Sequence, residues 1–275
     1  MIKRILVGLG GTDYVVSAIN QAVSLAMAHD AEVTGVSVAA PAHLTARLST
    51  TMGEGAVIYP FPEADMQKSR ERIEWAAQEL IVACRAAGVR HRMLREIGEP
   101  FSVMTAEARY HDLMVFGLRS LFESDIVPDP HNALVRLVQA GVRPLIAVSK
   151  SFRPVTKVLI AYSGSMESAR AMKRFVQMRL WPEAKLRIVT FEHQADEAEQ
   201  FVGDAADYCR AHGFEPEEAF VPESPKDHLL PYAAEWGADL TVVGNSAQNL
   251  WLRRMFGETA LHVIQNADSP LFLAQ

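Results

Sequence analysis

Val158-Leu159-Ile160-Ala161-Tyr162-Ser163-Gly164-Ser165 is an apolar run closed by a small, turn-forming tripeptide, and it has a double earlier in the chain. Ile5-Leu6-Val7-Gly8-Leu9-Gly10-Gly11-Thr12 has the same shape at an offset of 153 residues. That offset also lays Val33-Thr34-Gly35-Val36-Ser37-Val38 on Leu186-Arg187-Ile188-Val189-Thr190-Phe191. Working outward, Cys84-Arg85-Ala86-Ala87-Gly88 falls on Cys209-Arg210-Ala211-His212-Gly213 at 125, and Asp112 to Gly117 falls on Asp239 to Gly244 at 127. Pro144 to Ala147 then matches Pro270 to Leu273 at 126. Five matches in unbroken order are a duplication. The fall from 153 to 125 leaves the first copy 28 extra residues between its second strand and second helix.

Each copy alternates strands with helices. The runs Ile5–Leu9, Val33–Val38, Leu113–Phe116 and Leu145–Val148 are uniformly apolar, as strands buried on both faces must be. Between them, Gln67 to Ala87 places Ile73, Ala76, Ala77, Leu80, Ile81 and Cys84 on one helical face. Gly88 and Gly213 stand where a left-handed residue ends a helix. Shorter polar strands, Arg92–Glu96 and Glu218–Val221, complete five per copy. Strand–helix alternation with right-handed crossovers predicts an α/β fold of two tandem doubly wound five-stranded parallel sheets, strand order 3-2-1-4-5 in each. The predicted domains are residues 1–149 and 154–275, joined through the polar, proline-containing Ser149–Pro154. The insertion, about residues 39–65, reads as a long loop or lid after the second strand, with Pro41, Pro60 and Pro62 in it.

Composition narrows the function classes. A chain of 275 residues with 49% hydrophobic and 22% charged content is a globular protein with two domain-sized units. A net charge of −6 and a pI near 5.9 argue against a nucleic-acid binder. No apolar run reaches membrane-spanning length, and the amino terminus reads straight into a strand instead of a signal peptide. Cys84 and Cys209 sit in helical patterns without metal spacing, so a reducing cytoplasm is expected. The nine histidines show no metal-ligand spacing. His131, beside Asp129, is the one near the expected crevice and reads as a solvated helix-start residue. There is neither a nucleophile elbow nor a Walker-type phosphate loop, and Gly164-Ser165 reads as a turn and helix N-cap.

In open α/β sheets ligands bind beyond the carboxyl ends of the strands, where strand order reverses. In the second copy the loops there are Ser163-Gly164-Ser165 and Gly244-Asn245-Ser246-Ala247, followed by Gly257-Glu258-Thr259. Glycine admits close approach of a phosphate, and helix starts supply N–H donors. This half, with Val242-Val243-Gly244, Phe256-Gly257-Glu258-Thr259-Ala260-Leu261 and Ser269-Pro270-Leu271-Phe272-Leu273, resembles the universal stress protein family; the duplication makes it the tandem type. The resemblance implies a non-catalytic stress-response module gated by a small ligand, with ATP the candidate in the second domain alone. Its ATP-binding members carry G-x-x-G, nine residues, then G-[S/T], and an aspartate ending the first strand. Gly244 and Gly257 keep the outer glycine positions, whereas Ala247, Glu258 and Ser163 replace the middle glycine, the hydroxyl residue and the aspartate. A carboxylate at Glu258 opposes a polyphosphate unless a cation bridges them; Arg253 and Arg254 stand in the preceding loop.

The residues expected to hold a ligand are therefore Ser163, Gly164, Ser165, Val189, Thr190, Gly244, Ala247, Gly257, Glu258 and Thr259. Val189 and Thr190 would flank an adenine, as the resemblance implies. In the first copy Gly10 replaces the aspartate, and His131 and Asn132 replace Gly257 and Glu258. Its loop carries Glu123, Asp125 and Asp129 without glycine, a poor phosphate cradle. Trp251 and Phe256, with Leu250, Leu252 and Met255, form an apolar patch expected to pack on the other half or another subunit. Family members pair through their last strands, so the halves are expected to pair within the chain, with a homodimer also open. Two rivals stand beside this reading: an ATP-hydrolysing or nucleotide-transferring enzyme using Glu258 as metal ligand, and a structural partner-binding protein with both sites inactive.

Overall fold

The computed structural model describes residues 2–10, 12–39, 47–49, 57–59, 63–98, 100–118, 144–192, 195–244, 262–263 and 266–274. In chain order the first half holds β1 (Arg4–Gly8), α1 (Val15–His29), β2 (Glu32–Ala39), β3 (Arg47–Ser49), β4 (Val57–Tyr59), α2 (Glu63–Ala86), β5 (His91–Ile97), α3 (Pro100–Ala108), β6 (Leu113–Gly117) and β7 (Leu145–Val148). The second holds β8 (Lys157–Ala161), α4 (Met166–Met178), β9 (Lys185–Phe191), α5 (Ala195–Ala211), β10 (Glu217–Val221), α6 (Pro225–Trp236), β11 (Leu240–Gly244) and β12 (Leu271–Ala274).

The main sheet has ten strands in the order β10-β9-β8-β11-β12-β7-β6-β1-β2-β5. Each half on its own reads third, second, first, fourth, fifth, with parallel pairing throughout. The whole differs in detail from two separate sheets. β12 lies antiparallel beside β7, pairing Leu271 with Ala147, Phe272 with Ile146 and Leu273 with Leu145, so one ladder runs through both halves. Strands of opposite direction can share a ladder because antiparallel hydrogen bonding needs no crossover. Within the insertion expected as a long loop or lid, β3 and β4 form an antiparallel two-stranded ribbon and α2 starts at Glu63; residues 40–46, 50–56 and 60–62 lie outside the described residues. The sequence signal was weak because three-residue strands are too short to show a period.

Burial follows the periodicity. The strands predicted from uniformly apolar runs are buried along their length, while β5 and β10 stand at the two edges with charged, half-exposed residues. Charge on an edge strand discourages pairing with another chain. One face of the sheet packs α1, α2, α4 and α5 around a core that includes Val7, Ala18, Leu80, Cys84, Phe175, Ala206 and Cys209. The opposite face carries α3 and α6, through Met104, Leu229 and Ala233. Ile146 and Phe272, partners across the seam, belong to the first of these cores, so apolar packing is continuous between the halves. Gly88 and Gly213 have φ of +66° and +81°, as their helix-ending role requires.

The halves also share a clamp. Asp112 Oδ2 accepts from the N–H groups of Lys3 and Arg4 at 2.7 and 2.9 Å. Asp239 Oδ2 accepts from Thr156 N, Lys157 N and Thr156 Oγ1 at 2.9, 2.9 and 2.8 Å. Each carboxylate, standing just before the fourth strand of its half, fixes the start of the first strand beside it. The repeated aspartate at offset 127 thus has a physical cause.

Candidate functional site

β8 ends at Ala161 and the chain turns into α4 through Tyr162, Ser163, Gly164 and Ser165. Gly164 takes φ +70°, and a Cβ there would lie 3.0 Å from the ring atoms of Phe201 on α5. Both constraints demand glycine. Ser165 is the N-cap of α4: its Oγ accepts from Ser168 N at 3.2 Å, as the sequence predicted. Ser163 Oγ lies 3.0 Å from Ser165 Oγ and 3.3 Å from Ser168 Oγ; Ser165 and Ser168 Oγ are 3.2 Å apart. Ser168 Oγ donates to Ser165 O at 2.9 Å and accepts from Ser163 N at 3.3 Å. The turn is therefore a three-hydroxyl cluster at a helix start, with Ser163 exposed, Ser165 half-buried and Ser168 buried. Sequence reasoning missed Ser168, although its place three residues past an N-cap serine was a usable signal.

Gly244 closes β11 against that helix start. A Cβ there would lie 2.6 Å from Ser168 N and 2.7 Å from the backbone carbonyl of Glu167. Packing of strand end on helix backbone alone requires this glycine. The presence of glycine here is thus accounted for without a ligand.

Val189 and Thr190 occupy β9 beside the turn, where Tyr162 N donates to Val189 O at 2.9 Å. Their side chains are buried, Val189 within the core on the α6 face. The groups half-open at this strand end are Phe191 and Tyr162 instead. Thr190 Oγ1 is buried without a hydrogen-bond partner. Phe191 is held edge-on to Tyr232, with ring centroids 6.0 Å apart. Burial pushes the Tyr162 phenol above its ordinary pKa, and the nearby Asp204 carboxylate adds to the rise, so the phenol stays neutral. Ala247, Gly257, Glu258 and Thr259, together with His131 and the Trp251–Phe256 patch, lie outside the described residues.

The equivalent turn of the first half is built differently. α1 starts at Tyr14 without a side-chain cap, and Thr12 Oγ1, the counterpart of Ser165 Oγ, is buried and unpartnered. Lys150, just past β7, lies 3.3 Å from Asp13 Oδ2 and 5.5 Å from the Tyr14 ring centroid. An exposed ion pair from the linker therefore lies beside this helix start. Among the described residues no group of three or more His, Cys, Asp or Glu is arranged to hold a metal ion, and no helix is long and apolar enough to cross a membrane.

A doubly wound sheet with a hydroxyl-lined turn at the carboxyl end of the first strand of its second half defines the class: an α/β protein of Rossmann-like fold. Residues 189–275 match the model of the universal stress protein family. The universal stress protein Slr1230 of Synechocystis sp. is 23% identical over 138 residues, 50% of this chain and 48% of that protein; the match spans about half of this curated relative. A universal stress protein structure from Archaeoglobus fulgidus covers 99% of this chain and 96% of its own, with a TM-score of 0.73 at 14% identity. A universal stress protein solved in complex with cAMP is 29% identical over 45% of this chain and 98% of its own, with a TM-score of 0.40. Along its length the chain shares the fold of that Archaeoglobus fulgidus structure, and within it residues 189–275 match the universal stress protein family model.

Proposed function

We propose that the chain is a tandem universal stress protein, with modules at residues 1–149 and 154–275, acting without catalysis as a regulatory element gated by a small ligand in the second crevice. The last strands of the modules, antiparallel across the seam, take in this reading the place of a pairing between two separate chains.

The observation that carries the reading is the difference between the two helix starts. That of α4 presents three clustered hydroxyls with Ser163 exposed, while that of α1 has no side-chain cap, a buried Thr12 hydroxyl and the Lys150–Asp13 pair beside it. Each hydroxyl both donates and accepts. Such a cluster suits a sugar or the edge of a heterocycle. Glu167 places a carboxylate in the first turn of α4, which disfavours a phosphate directly on that turn. A nucleoside or nucleotide seated by its sugar at Ser163 and Ser165 is the ligand class this favours, with any phosphate directed towards the loop after Gly244. ATP in the second module is the specific candidate.

Native mass spectrometry of freshly purified protein, with melting curves in millimolar ATP, AMP and cAMP, tests the proposal. A co-purified nucleotide or a ligand-dependent rise in Tm, reduced in Ser163→Ala and Ser165→Ala, is expected. Empty protein whose Tm ignores all three nucleotides refutes it. Turnover of ATP with magnesium that Glu258→Ala abolishes would replace it with the enzymatic reading.

A further inference from the structure

α4 runs from the second crevice to the seam between the halves, and it is pinned at both ends. At its start Gly244 leaves no room for even a Cβ against Glu167 and Ser168, and Ser168 ties the helix to Ser163 and Ser165. Along its length Phe175 packs edge-on to Phe272 of β12, with centroids 5.4 Å apart, and Phe272 pairs with Ile146 of the other half. Just past its end Leu180 O accepts from Nε2 of His29, the last residue of α1, at 3.0 Å. The two helices whose ends that bond links also stop in the same way. Asp30 and Arg179 are the positive-φ non-glycine residues among those described, both at φ 49°, and they cap α1 and α4 respectively. Asp takes that conformation readily at a helix end, whereas Arg179 takes it at a steric cost, with its Nη1 donating to His212 O at 2.6 Å.

We propose that α4 is a coupling element that transmits the state of the Ser163–Ser165–Ser168 cluster to the seam, where it is read through Leu180 and His29. A 13-residue helix is ~20 Å long, and the buried face of α4 (Ser168, Ala171, Met172, Phe175, Val176 and Met178) is close-packed. A shift of its first turn is therefore passed along the axis. The biological meaning of this coupling rests on the second crevice being the ligand site; the mechanical link does not, and it is measurable without ligand.

The test uses the full chain labelled with 15N-histidine, and hydrogen exchange of the amides from Ala26 to Ala31. Ser168→Ala is expected to shift the His29 ring resonances and to speed those amides at least threefold; Ser165→Ala, which removes the N-cap, serves if the first variant folds poorly. Thr241→Val alters a buried hydroxyl on β11, where Leu240 and Val242 face the α4 core and Thr241 between them faces the opposite side, and should leave both readouts at the wild-type position. The proposal is overturned if neither serine variant moves His29, or if Thr241→Val moves it equally. If the wild type binds ATP, reciprocity requires His29→Ala to change that affinity by the same factor by which ATP shifts the seam, at least threefold. An unchanged affinity overturns the coupling. Absence of ATP binding refutes the ligand reading alone, and the ligand-free arm then decides the coupling.

Discussion

Replacing Asp239 by alanine removes a carboxylate oxygen that accepts three hydrogen bonds at 2.8–2.9 Å from the start of β8. A bond to a charged group contributes about 1.5–3 kcal/mol when its partner is left without water. Thr156 is exposed, so its N–H and hydroxyl recover water and count at the low end, about 0.5 kcal/mol each; Lys157 N is half-buried and counts more. The sum is about 2–3 kcal/mol. For a chain of this size that lowers Tm by about 3–5 °C if unfolding is cooperative. Asp112→Ala removes two bonds, to Lys3 N and Arg4 N, and should cost about 0.5 kcal/mol less than Asp239→Ala. Asp239→Asn keeps one carbonyl acceptor and should recover about half the loss. Urea unfolding followed by circular dichroism measures all three. A loss under about 0.5 kcal/mol for Asp239→Ala, or the reverse order of the two aspartates, refutes the argument that these carboxylates fix the first strands.

Gly244→Ala forces a Cβ to within 2.6 Å of Ser168 N, so β11 or α4 must move; a loss of about 1–3 kcal/mol or more in the same assay is expected, and a neutral substitution would remove the close-packing argument. Burial holds the His111 imidazole below its ordinary pKa, with Arg4 and Arg92 adding to the effect against the Glu107 carbonyl bond. The unfolded chain therefore binds this proton first, so stability falls as pH drops through the unfolded histidine value, about 6.5, and on towards the folded one. His111→Gln should flatten the stability–pH curve between about pH 7 and 5, and an unchanged slope would exclude His111 as its source. Burial also pushes the Cys84 and Cys209 thiols up to about 11 and about 12. A maleimide at pH 8 should label neither until denaturant is added, and rapid native labelling would show that the helices open.

The sequence carried the duplication because a doubly wound sheet writes itself locally. Both-face burial makes Ile5–Leu9 and Val158–Ala161 continuous apolar runs, helix ends need Gly88 and Gly213, and the clamp needs Asp112 and Asp239. The Ser165 N-cap was legible for the same reason, since its partner lies three residues away. Contacts between residues distant in the chain were not legible. Only the tertiary structure brought Gly244 onto the backbone of Glu167, buried Val189 and Thr190 beside the turn, set Lys150 against Asp13 and joined β7 to β12. The physical reason is range. Periodicity, caps and turns record forces acting within a few residues, whereas strand partners and the far side of a crevice are chosen by packing energy shared across the whole chain, which no single window of sequence contains.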